Sequence, residues 1–277
     1  VSDNASKDNT EEVVRQYMQK DGRIKYFRNE KNLGAIGNHD IALKKYASGD
    51  WVVFVSDDDF LNNGTFVSDS MACIDKYGLD KVAFLQTGVN VLNQETGKTE
   101  VLYPKIKGDI EVVTGEDYFL NYFNYSFFSF TTTIFKRSYA LRFDIFNDRH
   151  YGTDVELALL IALGKSVILM KSVYGTYRIH RQQAFGGYNL SDIMNKTRIY
   201  STYSHAFQYA VLRGMNRAAL IRWLSSARKG INYMIEENIM YSREFQNFEI
   251  SLKEIFPEKI FNKSFRTLFR IIYVKIL

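Results

Sequence analysis

Five consecutive apolar residues, Trp51-Val-Val-Phe-Val55, run directly into Ser56 and three adjacent aspartates, Asp57, Asp58 and Asp59. A continuous apolar run of this length, preceded by Gly49-Asp50, is the pattern of a strand buried on both faces, as in a parallel sheet with helices above and below. Ligands of open α/β sheets bind at the carboxyl ends of the strands, so the acids stand where a site is expected. Three neighbouring carboxylates repel one another. A hard divalent cation, Mg²⁺ or Mn²⁺, held by one or two of them and by substrate phosphate oxygens, gives the arrangement a purpose. The competing reading is a solvated acidic turn, and placement at the end of the apolar run favours the site.

The flanking sequence alternates short β-rich runs with helical patterns, the signature of βαβ units. Val1-Ser2-Asp3 reads as the tail of a strand and residues 23–28 as a second. Asn9 with Glu12 opens a helix whose apolar stripe is Val13, Val14, Tyr17 and Met18. Helices are predicted over 35–47, 65–77 and 155–163, with a short one started by Thr114 and Asp117. Strands are predicted over 81–85, 166–170 and 173–179, and a hairpin around Gln94-Glu-Thr-Gly97. The stretch holding Tyr118, Phe119, Tyr122, Phe123, Tyr125, Phe127, Phe128, Phe130 and Phe135 is too aromatic and irregular for an amphipathic element and reads as the wall of a cleft. Beyond Gly186-Gly187 the patterns are helical only, near 190–212, 216–238, 241–255 and 263–277. The expectation is an α/β catalytic domain over 1–187, with a mainly parallel sheet and helices on both faces, and a helical extension over 188–277.

Composition narrows the function class. With 46% hydrophobic and 24% charged residues over 277 positions, the chain is neither disordered nor collagen-like and can bury a large core. Its 19 Tyr and 21 Phe exceed what a core needs. Aromatic faces stack on sugar rings and at membrane interfaces, although core packing accounts for most of them. A single cysteine, Cys73, excludes a disulfide framework and a cysteine metal site and suits a reducing cytoplasm. No run reaches the ~18 apolar residues of a membrane span, and no nucleic-acid partner is expected. The net charge of +5 is concentrated at the end, where Lys259, Lys263, Arg266, Arg270 and Lys275 follow Glu258 with no further acid. Phe265, Leu268, Phe269, Ile272 and Ile276 fall on one side of a helix there, so residues 259–277 are expected to contact an anionic membrane surface from the cytoplasmic side. A helix docked on the preceding region explains the same stripe equally well.

Three further motifs carry chemistry. Asn32-Leu33-Gly34-Ala35-Ile36-Gly37-Asn38 lies between a strand and a helix, where glycines admit a ligand and the helix N-terminus favours anions. Gly152-Thr153-Asp154 puts an acid in the first turn of a helix, as a helix cap also would. Tyr177-Arg178-Ile179-His180 ends a strand with a phosphate-gripping guanidinium and a metal-binding imidazole.

In this order and spacing, Val1-Ser-Asp-Asn-Ala-Ser, Asn-Leu-Gly-x-x-Gly-Asn, Ser-Asp-Asp-Asp, Gly-Thr-Asp-Val-Glu-Leu-Ala and Tyr-Arg-Ile-His resemble the inverting GT-A glycosyltransferases of bacterial polysaccharide synthesis, glycosyltransferase family 2-like, over residues 1–187. The resemblance implies a nucleotide-diphosphate sugar donor, a glycan or lipid-linked acceptor and a divalent metal. It implies that Asp3 holds the nucleobase and Asp57 the ribose, that Asn32, Gly34 and Asn38 line the donor side, and that Asp58 and Asp59 bind the metal. Arg178 and His180 would face the diphosphate, and Asp154 would be the catalytic base. The chain departs from the family in reading Thr153 before the base, where a Glu is usual. It also lacks a preceding strand–helix unit, which implies an incomplete sheet with a groove where that strand would lie. Ser-Asp-Asp-Asp variants resemble enzymes that add deoxyhexoses. Two other classes stay open: a sugar-binding or membrane-docking module with a degenerate site, and, more weakly, a phosphotransferase.

Overall fold

The computed structural model describes residues 1–125, 128–146, 152–180, 199–224 and 227. Strands β1 (Ser2–Asp3) and β2 (Phe27–Arg28), linked by helix α1 (Thr10–Lys20), pair in parallel as a sheet of their own. Next come α2 (Gly34–Ile41), continued by one π-helical turn over Ala42–Tyr46, then β3 (Trp51–Val52), β4 (Phe60–Leu61), α3 (Phe66–Tyr77), β5 (Val82–Asn93), β6 (Thr99–Leu102) and β7 (Ile110–Thr114). The series continues with α4 (Gly115–Leu120), β8 (Thr133–Lys136), α5 (Arg137–Ala140), α6 (Thr153–Ala162) and β9 (Ser166–Ile179). All belong to one compact unit, Val1–Gly187; a second, Tyr188–Leu277, contains α7 (Ile199–Leu212) and a further helical stretch at 217–224.

The larger sheet has the order β3-β8-β5-β9-β4, with β6 on β5 and β7 on β9. Its central ladder, β5 with β9, is parallel, and its other described ladders are antiparallel. The class is the expected α/β one, with a mixed sheet. Residues Val82 to Val89 are buried without alternation, which requires cover on both faces. One face packs Leu85, Ile134, Ile168 and Met170 against Phe66 and Ile74 of α3. On the other, Phe84 meets Tyr118 of α4 edge to face at 5.1 Å, and Phe128 at 5.7 Å. Tyr118, Phe119, Tyr122, Phe128 and Phe135 are thereby core residues rather than a cleft wall, because a sheet apolar on both sides needs large rings to fill its second face.

Several boundaries differ from expectation, each for a physical reason. The apolar run 51–55 keeps strand pairing only at Trp51 and Val52, opposite Lys136 and Phe135 of β8, because a strand extends only where a neighbour supplies hydrogen bonds. Among the described residues nothing pairs with the other side of β3 or joins it to β1. The stripe predicted for α1 is not buried: Val13 and Tyr17 are exposed, since two strands of two residues offer too little surface to cover it. Asn9 precedes α1 without capping it, and the Asp8 carboxylate accepts from the Thr10 N–H instead, at 3.0 Å. The strands predicted at 166–170 and 173–179 are one strand. Gln86 faces Leu169 while Gly88 faces Val173, so Lys171-Ser172, which read as a break, form a bulge. There β9 exchanges one outer neighbour, β7, for another, β4.

The hairpin around Gln94–Gly97 is present, with Val89 opposite Leu102 and Leu92 opposite Thr99. Phe127, Tyr151, the helices predicted at 241–255 and 263–277, and the basic stripe of 259–277 lie outside the described residues. No described helix is long and apolar enough to cross a membrane.

Helices α4 and α6 approach so closely that a Cβ on Gly115 would stand 1.8 Å from the Ala162 carbonyl oxygen. The Gly115 N–H donates to Lys165 O at 2.6 Å and holds the two backbones there. Gly115→Ala is expected to destabilise the protein by about 2 kcal/mol or more, read as a lower urea midpoint at unchanged slope; an unshifted midpoint would contradict this packing.

Candidate active site

The residues singled out in the sequence fall into three groups of side chains, borne by different elements. The first surrounds β1. The Asp3 side chain is fully buried, its Oδ2 accepting from Arg28 Nη1 at 2.7 Å and from the Tyr26 hydroxyl, and its Oδ1 from the Ser6 N–H at 2.8 Å. Burial alone would raise this carboxyl, but the Tyr26, Ser6 and Arg28 interactions outweigh it and hold the pKa at about 2. An asparagine network adjoins it. Asn38 Oδ1 accepts from Ser2 Oγ at 2.6 Å and from Asn29 Nδ2 at 3.0 Å, while Asn38 Nδ2 donates to Ser2 O at 3.1 Å. Asn32 Oδ1 accepts from Asn4 Nδ2 at 3.0 Å and from the Gly34 N–H at 2.8 Å. Gly34 starts α2 at φ +73°, a left-handed conformation that suits glycine. Asn32, Gly34 and Asn38 thus tie the start of α2 to β1.

The second group is the acid triplet, in the turn between β3 and β4, closed by a bond from Asp59 N–H to Ser56 O at 3.1 Å. The three carboxylates have different surroundings. Asp57 is exposed. Asp58 Oδ2 lies 3.2 Å from His180 Nε2. Asp59 accepts from Thr131 Oγ1 on Oδ2 at 2.6 Å and from the Arg178 N–H on Oδ1 at 3.0 Å. Burial pushes the Asp59 carboxyl above its ordinary range, and these two bonds oppose that shift. Arg178 also donates from Nε to the Asp58 carbonyl. The end of β9 therefore holds the triplet by backbone and side chain together, and the structure unites Asp58, Asp59, Arg178 and His180.

Among the described residues no three His, Cys, Asp or Glu side chains converge as ligands of one cation. The chain supplies a pair, Asp58 and His180, with ligand atoms at the separation of neighbours on one ion. That set fits a hard cation completing its shell with diphosphate oxygens.

The third group is at α6. Gly152, at φ +73°, stands at the N-cap position, and no side chain caps the helix. The cap reading of Thr153 and Asp154 is thus replaced by a left-handed glycine. Asp154 is half-buried and accepts from the Val155 N–H at 2.8 Å. Burial raises its carboxyl above the ordinary 3.8, with backbone bonds opposing. The Tyr118 phenol is pushed up by its own burial and then by the Asp154 charge, and it donates to Gln86 at 3.2 Å.

The sequence reading missed Tyr26 and Arg28 as partners of Asp3, and Thr131 as partner of Asp59. The run Thr131-Thr-Thr133 before a strand was the one signal, since three hydroxyls in a buried segment need acceptors. His39, also unassigned, packs 4.8 Å from the Phe54 ring and 5.5 Å from Phe130; burial lowers its pKa to about 4, so it is neutral at pH 7.

Comparisons with known proteins bear on the family and the fold. The sequence model of Glycosyl transferase family 2 matches residues 1–142. A GalNAc(5)-diNAcBac-PP-undecaprenol beta-1,3-glucosyltransferase of Campylobacter jejuni is 30% identical over 205 residues, 73% of this chain and 61% of that protein. Poly(ribitol-phosphate) beta-N-acetylglucosaminyltransferase TarS of Staphylococcus aureus is 36% identical over 91 residues, 32% of this chain and 15% of that protein. The crystal structure of S. aureus TarS 1-349 in complex with UDP-GlcNAc superposes with a TM-score of 0.60 at 20% identity, covering 81% of this chain and 61% of that one. That likeness is one of fold, the GT-A arrangement. The chain spans about three-fifths of the length of the Campylobacter relative.

Because the folded pKa of Asp3 lies below the ordinary 3.8, its contribution to stability is present above pH 3.8 and lost as pH falls toward 2. Denaturant unfolding followed from pH 6 to 2 should show this limb in the wild type and a shallower one in Asp3→Asn; equal slopes would remove the assignment.

Proposed function

Since this chain belongs to glycosyl transferase family 2, we propose that it transfers a hexosyl or deoxyhexosyl group from a nucleotide-diphosphate donor to a hydroxyl of a cell-surface glycan or lipid-linked acceptor, with inversion. The observation that carries this reading is the 3.2 Å approach of Asp58 Oδ2 to His180 Nε2, which joins the acid triplet to the end of β9. Residues 1–187 would form the catalytic domain and 188–277 a helical extension whose basic end meets an anionic membrane surface. The substrates named for the relatives make undecaprenyl-diphosphate glycans and ribitol-phosphate polymers the first acceptors to test. Donors carrying glucose or N-acetylglucosamine come first on the other side.

In this mechanism Asp58 and His180 would hold a Mg²⁺ or Mn²⁺ ion, which would supply positive charge against the negative charge gathering on the leaving diphosphate. Asp3 and Asp57 serve the nucleoside, and the α2 start, with Asn32, Gly34 and Asn38, shapes the donor side. The anomeric C–O bond to the diphosphate breaks while the acceptor oxygen bonds from the opposite face, and its proton passes to Asp154. Burial makes that carboxylate a better base than an exposed aspartate, and the N-terminus of α6 keeps it ionised until the proton arrives.

Asp58→Asn should abolish Mn²⁺-dependent nucleotide binding in calorimetry, because an amide cannot offset the charge of a cation; unchanged binding would refute the metal assignment. Asp154→Asn should lower turnover by about 100-fold or more at an unchanged melting temperature. It has no cap to lose, Gly152 standing at that position, so near-normal turnover would move the base elsewhere.

A further inference from the structure

Asp59 differs from its two neighbours in that protein donors meet both of its carboxylate oxygens. Thr131 Oγ1 approaches Oδ2 at 2.6 Å and the Arg178 N–H approaches Oδ1 at 3.0 Å. The two donors come from different elements, the short 3₁₀ turn Phe130–Thr132 that leads into β8 and the end of β9. Thr131 is only 1% exposed, and its position is packed rather than adjustable. Gly175 of β9 lies so close beneath it that a Cβ there would stand 2.7 Å from the Thr132 methyl and 3.4 Å from the Thr131 methyl. The Asp58 carbonyl is held by Arg178 Nε. The peptide between Asp58 and Asp59 is therefore clamped on both sides, and the part of Asp58 left to point into the site is the carboxylate facing His180.

We propose that Thr131 is a positioning residue: through Asp59 it fixes the Asp58–His180 pair in register for cation and diphosphate, so that Asp59 is a brace and not a cation ligand. This rests on the reading of Asp58 and His180 given above. The lack of a third converging ligand among the described residues agrees with it. A carboxylate that receives a hydroxyl on one oxygen and an amide on the other is held in one orientation, and turning it toward the Asp58–His180 pair would strain or break those bonds in a half-buried place. Partners that orient ligands from one bond away typically change metal affinity by about 10- to 100-fold when removed.

The test is Mn²⁺-dependent binding of UDP, GDP and dTDP by calorimetry, with donor kcat and KM, for Thr131→Val, Thr131→Ser and Asp59→Asn, each with a thermal melt. Thr131→Val keeps shape and removes the donor. It should raise the Mn²⁺ concentration for half-maximal nucleotide binding by about 10-fold, with kcat at saturating Mn²⁺ within about two-fold. Thr131→Ser restores the hydroxyl and should restore the midpoint, and adding Thr131→Val to Asp59→Asn should cost nothing more. An unmoved midpoint in Thr131→Val, or a midpoint that Ser does not rescue, would reduce Thr131 to a packing residue and overturn the proposal. Asp59→Asn abolishing binding as Asp58→Asn does, while Thr131→Val leaves it intact, would make Asp59 a direct ligand. Should Thr131→Val melt early, Asp59→Asn carries the test, because it leaves the packing around Thr131 in place. If no nucleotide binds the wild type with Mn²⁺, or Asp58→Asn binds normally, the reading of the site fails and not the brace alone.

Discussion

The parallel ladder between β5 and β9 is the constraint on which the rest depends. It pairs Val82 with Ser166 at one end and Asn93 with Ile179 at the other, so it crosses the whole larger sheet. Strands buried on both faces are mainly apolar; the exceptions within the buried part of β5, Gln86 and Thr87, have hydrogen-bond partners in Tyr118 and the Thr132 carbonyl, and Tyr177, Arg178 and His180 appear only toward the site. The bulge at Lys171-Ser172 matters more than its size suggests. Below it β9 borders β7, and above it β4, so the same strand that anchors the core also receives the loop carrying the acids. Without the change of neighbour, β4 would have no edge to pair with and the triplet would be an untethered turn.

Three adjacent carboxylates in one turn are tolerable because the structure gives each a different partner. Asp57 is exposed, Asp58 meets an imidazole, and Asp59 accepts two hydrogen bonds in a half-buried place. Repulsion among like charges falls when one is braced by donors and another is aimed at a base able to share a cation. Asp3 follows the same logic at the other sheet: a buried carboxylate is sustained by a phenol, a guanidinium and a backbone N–H, and its cost of burial is offset locally. Asp154 lacks such a set of donors and is correspondingly raised, which is the property asked of a base and not of a charge held for binding.

Much of this was legible from residue order. The run Trp51–Val55 leads from a strand into the three aspartates as expected, although only Val52 and Phe54 are buried and Val55 is exposed, so the run is fully covered on one face and not on both. Thr114 caps α4 through the Asp117 N–H, as its spacing indicates. Patterns failed where the outcome depends on a neighbour. Val13 and Tyr17 have helical spacing, but spacing does not say whether a surface exists to cover them. Lys171-Ser172 interrupts an apolar run, and nothing local distinguishes a turn from a bulge. The aromatic stretch from Tyr118 was too irregular to assign because its rings pack on a sheet face contributed by Phe84 of β5, remote in sequence.

What the sequence by itself determined is the set of chemical groups, their order, and the elements that end in them: acids after an apolar run, an acid in the first turn of a helix, Arg and His closing a strand. These follow from burial and helix geometry within a dozen residues. Only the tertiary structure decided which carboxylate faces which partner. Thr131 meets Asp59 across 72 residues and His180 meets Asp58 across 122. Those meetings are set by strand order and by one bulge's register, and hydrophobic periodicity encodes which face of a strand is buried but not which strand lies beside it.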